Sequence, residues 1–540
     1  MWKCVVFLVC LSMSLVLADE EWRLVNITQG PVRGRFEDGV YSFYNIPYAS
    51  APTGTDRFKA PLAPPVWLTP FDAVDRRIAC PQIWVGSGEV NIHENCLVAN
   101  VFVPDTEETN LPVLVNVHGG GYVLGYGQQS QFKDLVSSRK IIVLTFNYRL
   151  GVHGFLCLGT EGAPGNAGLK DQLAFLRWVK TNIASFGGNP DDVTLSACSA
   201  GSGSIDFLSL SHFTKGLYTK TIQESGASIG GVGAQVDPIE HAKSYARLLN
   251  FHNVDDLNSL EEFYRTVPFE LLVSGMDEIL NTKNVNILFG PCVERDIGQE
   301  HIVTEAPMNI IRQGNYTKVP RIYGFTNMDG AFRLPQFDTW KDAMNERFSD
   351  FLPAELYFES EEVKEQVAQE IKEFYFNGSP VSEDNILAYI DYFTDVIFAV
   401  PILKSVSSRI EALGDTIYLF EYSFVDEHTP SFPHTDVRGA DHCFQEIAVT
   451  DEDVSGRTEE YKQMKEIMRD YWTNFMLTDS PSSFNSPLPS WPPTNAQRAP
   501  HMALGNNIEL RNDIIQDRIA FWDTIYDKYY REPVIYPSTV

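Results

Sequence analysis

The sequence predicts an α/β fold in which a large, mostly parallel sheet lies between layers of helices, and three observations support this. Apolar runs rich in β-branched residues recur along the chain, as is typical of buried parallel strands. Stretches with a helical period separate several of these runs. No internal repeat, low-complexity tract or linker interrupts the 540 residues. We therefore expect one large domain with helical insertions.

The predicted elements follow in chain order. Strands are expected at 112–119, 141–148, 192–197, 318–325 and 416–424. A helix is expected over 169–186, where a Gly–Gly pair follows a stretch with one apolar face formed by Leu173, Leu176, Trp178, Val179 and Ile183. Two more helical stretches, 460–476 and 513–530, lie near the carboxyl end. In a doubly wound sheet, ligands bind at the carboxyl ends of the strands.

The amino-terminal stretch MWKCVVFLVCLSMSLVLADEEW has the features of a secretory signal. One lysine precedes an apolar run from Cys4 to Leu17, and Val16 with Ala18 fits a cleavage site. A membrane anchor is the alternative, but the run is shorter than the roughly 20 residues that a spanning helix needs. We predict a signal peptide at 1–18, a mature domain at 19–540 and secretion. No later stretch is expected to be long and apolar enough to span a bilayer.

The net charge of the chain is −29. A surface this acidic repels nucleic acid and anionic lipid, so neither nucleic acid nor a membrane is expected as a partner. The charge does not identify the substrate, and it is compatible with a soluble monomer, which is the state we expect.

Six cysteines lie beyond the signal, and export would permit disulfides among them: Cys80, Cys96, Cys157, Cys198, Cys292 and Cys443. Cys80 and Cys96 would close a loop of roughly 15 residues, worth about 3 kcal/mol in the chain-entropy model, and we predict that they are bonded. Cys157 and Cys292 are expected to be free, buried thiols.

Three sequons predict surface loops, at Asn26, Asn315 and Asn377. We expect glycans on the first two. The third is weakened by Pro380, which follows it directly.

Ser199 lies in VTLSACSAGSGS, a frame of small residues that differs from G-x-S-x-G at Ala197. A strand pattern ends at Ala197, and a helix is expected to begin just after Ser199. So sharp a turn strains the residue at its apex and projects its side chain clear of the backbone. The residues two before and two after the apex pass close together, and Ala197 and Gly201 are both small. Ser199 is therefore a candidate nucleophile, with an ordinary buried turn serine as the alternative.

The stretch VNVHGGGYVLG runs a predicted strand into three glycines, whose N–H groups no side chain obstructs. Such groups can converge on an oxygen that becomes negative when a carbonyl is attacked. With the N–H of Ala200, Gly120 and Gly121 would form an oxyanion hole with three donors. A phosphate-binding loop is the alternative, but G-x-x-x-x-G-K is absent and the chain is acidic.

A serine nucleophile needs a base and a carboxylate that orients the base. Among the eleven histidines, His442 in VRGADHCFQEI is the best candidate, because it follows the last strong strand in a loop that contains glycine. Asp329 in YGFTNMDGAF follows a strand between Ser199 and His442, with loop capping as its alternative role. The acidic loop 426–442 fits no compact set of metal ligands, so we expect neither a metal nor a cofactor.

These motifs resemble the type-B carboxylesterase and cholinesterase family of the α/β-hydrolase fold, and within it the secreted insect carboxylesterases. The resemblance runs from about residue 22 to 530. It is carried by NIPYASAPTGTDRFKAP with Trp67, ENCLVANVFVP, HGGGY, NYRLGVHGFL, PGNAGLKDQLAFLRWVKTNIASFGGNPDDVTL, SACSAG, YGFTNMDG and GADH.

The resemblance implies a role for each candidate residue. Ser199 would be the nucleophile, His442 the general base and acid, and Asp329 its orienting partner. The oxyanion hole would be formed by Gly120, Gly121 and Ala200. The Cys80–Cys96 bond would match the first disulfide of the family, and family position places an apolar acyl pocket at Leu288 and Phe289.

The chain departs from the family's pattern close to these residues. Cys198 stands where Glu usually precedes the nucleophile, Asp329 stands where the triad usually has Glu, and the acidic pair after the histidine is displaced in HCFQEI. Because Cys198 removes a negative charge beside the site, we expect acetylcholine to be rejected. Cys198 and Cys443 directly flank the predicted nucleophile and base, so they are either neighbouring thiols that line the site, bonded or not, or two unrelated apolar fillers.

The sequence thus predicts a secreted serine esterase for small to medium apolar carboxylic esters, such as odorants, acetate pheromones, and plant or xenobiotic esters. The reaction would pass through an acyl-enzyme on Ser199. A juvenile-hormone esterase is one alternative, although such enzymes usually carry Gln before the nucleophile. A non-catalytic adhesion relative is an alternative from another class, although such relatives commonly lose the serine or the histidine.

Overall fold

The computed structural model describes residues 22–83, 89–230, 233–276, 282–283, 286, 288–483 and 488–533. The predicted signal peptide at 1–18 lies outside the described residues. The described strands are β1 (Trp22–Ile27), β2 (Gly30–Glu37), β3 (Val40–Pro47), β4 (Phe71–Asp72), β5 (Ile78–Ala79), β6 (Asn91–Ile92), β7 (Val98–Pro104), β8 (Leu111–Asn116), β9 (Ile142–Phe146), β10 (Gly188–Cys198), β11 (Lys220–Glu224), β12 (Arg321–Thr326), β13 (Ile417–Tyr422), β14 (His501–Leu504) and β15 (Ile508–Arg511).

The sheet is mixed, and within the described residues it has 13 strands in the order β1-β2-β3-β7-β9-β8-β10-β11-β12-β13-β14-β15, with β4 paired to β2. From β9 to β14 every neighbouring pair is parallel. These strands are buried on both faces, and most of them have nearly continuous apolar sequences for that reason. The exception is β11, whose sequence KTIQE has one apolar residue and which was not predicted. All five predicted strands are present there, as β8, β9, β10, β12 and β13.

The antiparallel strands at the amino-terminal edge were not predicted. β1, β2 and β3 form a meander that pairs with β7. The turn between β2 and β3 is Asp38–Gly39, with both residues at positive φ, 51° and 82°. Asp–Gly between two strands is the usual signature of a tight hairpin, so the signal was available in the sequence.

The helices pack on both faces of the sheet. Their bounds are α1 (Lys133–Arg139), α2 (Gly151–Phe155), α3 (Ala167–Asn182), α4 (Ala200–Leu210), α5 (Pro238–Leu248), α6 (Leu257–Thr266), α7 (Phe269–Ser274), α8 (Pro307–Gln313), α9 (Phe337–Glu346), α10 (Glu361–Phe376), α11 (Ile386–Thr394), α12 (Val400–Leu413), α13 (Phe444–Ile447), α14 (Glu459–Thr478) and α15 (Gln516–Tyr529). Short 3₁₀ helices occupy Gly54–Asp56, Ile183–Phe186, His212–Thr214, Asp329–Gln336, Phe348–Phe351 and Glu383–Asn385, and a π-helical turn occupies Asp395–Ala399.

The three long helices predicted from the sequence are present as α3, α14 and α15. The helical pattern at 169–186 corresponds to α3 and the 3₁₀ turn after it, which ends at Gly187 with φ 94°. A left-handed residue at this position is the normal way to stop a helix, and glycine adopts it without strain.

The core lies on both faces of the sheet, and alternate residues of a strand face opposite sides. In β8, Val113 and Val115 pack into one buried cluster, and Leu114 packs into another on the opposite face. A third cluster surrounds α9 to α12 and α15. The sheet thus holds the carboxyl ends of its parallel strands on a rigid, buried support.

The stretch Glu383–Leu413 corrects one sequence expectation. It is long and apolar enough to cross a membrane by length and composition, contrary to the prediction that no later stretch would be. However, 83% of its most apolar window is buried inside the protein, which is typical of a core helix. The stretch comprises α11, the π-helical turn and α12.

The disulfides bear out one prediction and overturn another. Cys80 is bonded to Cys96 as predicted. Cys157 and Cys292, predicted to be free thiols, form a second disulfide. A Cβ on Gly165 would lie 2.7 Å and 2.8 Å from the two sulfur atoms, so only glycine fits beside this bond. The cysteines are 135 residues apart, and no local pattern in the sequence signals their contact.

All three sequon asparagines are exposed. Asn315 follows α8, and Asn377 ends α10 in a left-handed conformation. The surface-loop prediction is wrong for Asn26, which lies within β1, a strand at the edge of the sheet.

Candidate active site

Ser199 is the single residue between β10 and α4, at the carboxyl end of a central parallel strand. Its backbone has φ 61° and ψ −133°, a conformation that a serine adopts only under strain. Two hydrogen bonds hold it there: its N–H donates to the carbonyl of Glu224 at 2.9 Å, and its carbonyl accepts from the N–H of Gly203 at 3.1 Å.

The two small residues that flank Ser199 have unequal roles. A Cβ on Gly201 would lie 2.2 Å from the carbonyl oxygen of Val117, a contact that backbone cannot relieve. The same Cβ would lie 3.0 Å from the Cβ of Ala197. The turn therefore requires glycine at 201 and accepts alanine at 197, which accounts for the departure from G-x-S-x-G.

The structure brings Ser199, His442 and Asp329 together in one chain of hydrogen bonds. The Nε2 atom of His442 lies 2.9 Å from the Oγ atom of Ser199, and its Nδ1 atom lies 2.7 Å from Oδ1 of Asp329. A carboxylate can only accept, so Nδ1 carries the proton and Nε2 is free to accept the serine hydroxyl proton. Asp329 is fully buried, whereas 18% of the His442 side chain is exposed.

Asp329 reaches His442 although it is one methylene shorter than the family's usual Glu. The carboxylate is fixed by its other oxygen, which accepts from the hydroxyl of Ser225 at 2.8 Å and from the N–H of Thr326 at 3.1 Å. The His442 loop is held toward it, because the N–H of Met328 donates to the carbonyl of Ala440 at 3.2 Å. These contacts fix the position of the Asp329 carboxylate and of the loop that carries His442.

The glycine loop passes beside Ser199. A Cβ on Gly119 would lie 3.1 Å from the Cβ of Ser199. Gly120 and Gly121 have φ values of 112° and 61°, and a Cβ on Gly120 would lie 2.2 Å from the carbonyl oxygen of Leu124. Among the described residues, the backbone N–H groups of Gly120, Gly121 and Ala200 have no hydrogen-bond acceptor.

A cavity of about 430 Å³ opens over Ser199 and His442. Its apolar wall is formed by Leu124, Phe332, Ile397 and Phe398, and its polar wall by the three glycines with Gln129, Asn286, Arg333, Gln336, Cys443 and Glu446. Phe398 stacks on the imidazole of His442, with ring centroids 4.4 Å apart. The volume is that of a small-molecule site, and its mixture of apolar surface with a few polar groups is typical of one.

The predicted acyl-pocket residues do not lie in the described wall of this cavity. Phe289 is fully buried and packs edge-on against Tyr245, and Leu288 packs against the same core cluster. The apolar wall is instead supplied by Phe332, in the 3₁₀ helix after Asp329, and by Phe398, in the π-helical turn. No local motif in the sequence distinguishes these two phenylalanines from core residues.

Cys198 and Cys443 form a third disulfide. It joins the residue before Ser199 to the residue after His442. Gln445 contacts the same place, since its side-chain amide donates to Ser225 Oγ at 3.2 Å and lies 3.5 Å from Cys198 Sγ. The alternatives left open by the sequence are thus resolved in favour of a bonded pair.

Two carboxyl groups that the sequence reasoning missed lie behind the site. Glu446 lines the cavity, and its carboxylate lies within 4.8 Å of both Cys198 and Cys443 sulfur atoms. Burial raises the pKa of Glu446 to about 6, while Asn116, Ser130 and the nearby His442 oppose that rise. Glu446 of α13 therefore places a carboxyl group beside Cys198, where the sequence analysis expected the loss of one negative charge and named no replacement.

Glu224 is the second carboxyl group. It ends β11, beside Ser225, and is fully buried. Among the described residues, neither oxygen of its carboxylate has a hydrogen-bond partner. Burial, and then the carboxylates of Glu446 and Asp329, raise the pKa of Glu224 well above its usual value. The sequence carried one indication of this carboxyl group. Glu224 ends β11, and β11 pairs with β10, the strand that leads to Ser199.

Within the described part of the chain, two groups of side chains have the composition of metal ligands. In the first, Glu446 lies beside Cys198 and Cys443, whose disulfide sulfurs are not thiolate ligands. The second comprises Asp338, Glu383 and His434 at the surface, where Lys341 already pairs with both carboxylates.

Comparison with known proteins decides the family. The model of the carboxylesterase family matches residues 21–522. The chain belongs to the carboxylesterase family. A carboxylic ester hydrolase of Bombus ignitus is 28% identical over 94% of this chain and 95% of that protein, and a juvenile hormone esterase of Heliothis virescens is 29% identical over 95% and 96%.

The fold of this carboxylesterase is also that of solved members. The crystal structure of juvenile hormone esterase from Manduca sexta, with OTFP covalently attached, superposes with a TM-score of 0.83 at 28% identity. It covers 94% of this chain and 100% of that one. The predicted α/β-hydrolase fold is confirmed, and the enzyme is a carboxylic ester hydrolase.

Proposed function

We propose that this carboxylesterase hydrolyses small to medium apolar carboxylic esters through an acyl-enzyme on Ser199. One observation carries the proposal: the hydrogen-bonded chain Ser199–His442–Asp329 opens onto a cavity of about 430 Å³ with an apolar wall. The strained backbone of Ser199 holds its hydroxyl at the edge of that cavity. A nucleophile, a base and an orienting acid are the parts that acyl transfer requires.

In the first half of the reaction, His442 Nε2 accepts the hydroxyl proton as Ser199 Oγ attacks the ester carbonyl. The carbonyl oxygen becomes negative and is stabilised by the N–H groups of Gly120, Gly121 and Ala200. Asp329 stabilises the imidazolium and keeps its orientation. His442 then protonates the departing alcohol, which leaves an acyl group on Ser199.

In the second half, water replaces the alcohol. His442 accepts a proton from water, the hydroxide adds to the acyl carbonyl, and the same N–H groups stabilise the oxyanion. Collapse of this intermediate returns the proton to Ser199 Oγ and releases the acid. Each proton is moved by an atom whose position is fixed by the hydrogen bonds described above.

The nature of the walls supports an apolar substrate of modest size. Leu124, Phe332, Ile397 and Phe398 offer aliphatic and aromatic surface to an acyl or alcohol chain. Burial of each methylene on such surface is worth about 0.8 kcal/mol. Odorant and pheromone acetates and small plant or xenobiotic esters fit this description.

A short-chain aryl acetate with and without an organophosphate tests the proposal. We expect turnover of the acetate, complete loss of turnover after one equivalent of inhibitor, and a phosphoryl adduct on Ser199 by mass spectrometry. Ser199→Ala should abolish both turnover and adduct, and Ser202→Ala, three residues further along in α4, serves as the matched control. Turnover that survives in Ser199→Ala contradicts the assignment, and the absence of an adduct on the wild type favours a non-catalytic adhesion role.

Juvenile hormone is a second candidate substrate, because two of the similar proteins are juvenile hormone esterases. A panel that sets juvenile hormone against acetates of increasing chain length distinguishes the two possibilities. We expect the higher kcat/KM for the acetates. A higher value for the hormone would overturn that preference and leave the roles of Ser199, His442 and Asp329 unchanged.

We further propose that the protein is a secreted, glycosylated monomer. Three disulfides support an oxidising compartment, and the exposed Asn26 and Asn315 support glycan attachment. Expression with the full amino terminus should release protein that begins at residue 19. Glycosidase treatment should lower its mass, and light scattering should give the mass of one chain. Retention in the cell, or an unprocessed amino terminus, would contradict secretion.

A further inference from the structure

We infer that the Cys198–Cys443 disulfide is a positioning element of the esterase reaction, so that full activity requires this bond to be oxidised. The inference rests on the proposed function of Ser199 and His442. Cys198 immediately precedes Ser199, and Cys443 immediately follows His442. A covalent bond therefore joins the two backbone segments that must keep Ser199 Oγ and His442 Nε2 within hydrogen-bond distance.

The two segments differ in how firmly the fold holds them. Ser199 lies between a central strand and α4, and backbone hydrogen bonds to Glu224 and Gly203 fix its position. His442 lies in the segment from Ser423 to Cys443, which contains no helix or strand, followed by the four-residue α13. The residue that needs an additional restraint is therefore the base.

The restraints on the base come from two directions. On the side of Asp329, the carbonyl of Ala440 accepts from Met328, and the N–H of Ala440 donates to Asn327. On the side of Ser199, the described contacts are the disulfide, the amide of Gln445, and the hydrogen bonds of Glu446 with Asn116 and Ser130. The disulfide is the covalent bond among them, so without it only non-covalent contacts would hold the base toward the nucleophile. A displacement of about 1 Å in such a group is enough to cost about 100-fold in rate.

One end of this bond is accessible, because Cys198 is buried but Cys443 is not, whereas both ends of the other two bonds are buried. Cys443 lines the substrate cavity and is partly exposed. Cys80, Cys96, Cys157 and Cys292 are each buried, with at most 4% of the residue exposed. A small dithiol that enters the cavity should therefore reduce Cys198–Cys443 first. In that exchange the two thiols of the reagent become a cyclic disulfide, and the protein bond takes up two electrons and two protons to give two thiols.

Mild reduction of the intact enzyme with dithiothreitol tests the inference. One aliquot is assayed with an aryl acetate, and a second is alkylated and mapped by mass spectrometry to measure how much of each disulfide is reduced. We expect kcat to fall by about 10- to 100-fold in proportion to reduction of Cys198–Cys443, with KM changed little. Removal of the reagent and reoxidation should restore kcat. An unchanged kcat with both thiols mapped as free would overturn the inference.

A pair of double variants provides the second measurement. Cys198→Ser with Cys443→Ser should lower kcat and the rate constant of organophosphate labelling together. Cys157→Ser with Cys292→Ser is the matched control, because it removes a buried disulfide away from the cavity; it should lower the melting temperature and retain kcat. Full kcat in the first pair would overturn the inference, and if that pair does not fold, reduction of the wild type decides.

The oxidised wild type separates this inference from the proposed function. If it gives no turnover and no adduct on Ser199, the proposed function fails, and the inference fails with it. If it gives the adduct and reduction leaves the rate unchanged, only the role of the disulfide is wrong. Free thiols at Cys198 and Cys443 in the untreated enzyme, together with full turnover, would also overturn the inference alone.

Discussion

Gly201 and Ala197 face each other across the turn at Ser199, so that a Cβ on Gly201 would lie 3.0 Å from the Cβ of Ala197. The closest contact of that Cβ would be with another group, the carbonyl oxygen of Val117, at 2.2 Å. The asymmetry explains how the strained turn at Ser199 forms without the first glycine of the usual motif.

Gly201→Ala should therefore damage the turn, whereas Ala197→Gly should not. We expect the first substitution to lower the free energy of unfolding by about 1–3 kcal/mol, as overpacking does, and to remove most of the activity. The second should cost about 0.5–1 kcal/mol, the usual penalty for glycine in a strand, and should retain kcat. Denaturant unfolding and aryl acetate assays measure both. Equal effects of the two variants would show that the contact with Val117 is not limiting.

Asp329→Asn should lower kcat by about 10⁴-fold with little change in KM, because an amide cannot hold His442 in the tautomer that accepts from Ser199. The surface variant Asp338→Asn is the control. Asp329→Glu tests whether the shorter acid is required here: its carboxylate would be pushed past Ser225 and Thr326, and we expect kcat between those of the wild type and Asp329→Asn. A kcat for Asp329→Asn near that of the wild type would exclude Asp329 as the orienting acid.

Glu224→Gln should stabilise the protein at alkaline pH. The pKa of Glu224 is raised in the folded state, mainly by burial, so the folded state binds its proton more tightly than the unfolded state. The contribution of this proton to the free energy of unfolding is fully present below the unfolded pKa of about 4.3. It is lost as the pH rises through the folded pKa and does not return above it. Glutamine cannot ionise, so the free energy of unfolding of the variant does not fall in this way as the pH rises.

The measurement is the free energy of unfolding against pH. We expect the free energy of unfolding of Glu224→Gln to exceed that of the wild type at pH 8 and to match it near pH 4. The exposed Glu427→Gln should follow the wild type at both values. A destabilised Glu224→Gln at pH 8 would mean that the carboxylate is ionised and paired in the folded state.

Phe398→Leu should change substrate preference as well as rate. The ring lines the cavity and stacks on His442, so leucine enlarges the site and loosens the imidazole. We expect kcat for an aryl acetate to fall and the kcat/KM ratio of hexanoate to acetate to rise by about tenfold. Phe393→Leu is the control, since this buried phenylalanine packs against Tyr389 and Trp340. An unchanged ratio in Phe398→Leu would remove this residue from the acyl or alcohol pocket.

Much of the fold follows from short-range patterns. The parallel strands are continuous apolar runs because both of their faces are buried, and α3 has a helical period with a glycine stop. The three residues that the structure brings together were predictable for a similar reason. Ser199 and Asp329 closely follow the ends of strands, His442 lies in the long loop after β13, and each has a local motif. The parts that could not be predicted are those that depend on distant segments meeting. Phe332 and Phe398, unlike Leu288 and Phe289, reach the cavity because of how helices pack.

The sequence by itself determined the α/β architecture, the strained turn at Ser199, the bare glycine loop and the residue types that acyl transfer requires. It did so because these features depend on the conformation of a few consecutive residues. Only the tertiary structure decided that Cys157 bonds to Cys292, that Cys198 bonds to Cys443, and that the carboxyl group of Glu446 lies beside Cys198. Each of these is a contact across more than a hundred residues, and its formation depends on the packed sheet that brings the two segments together.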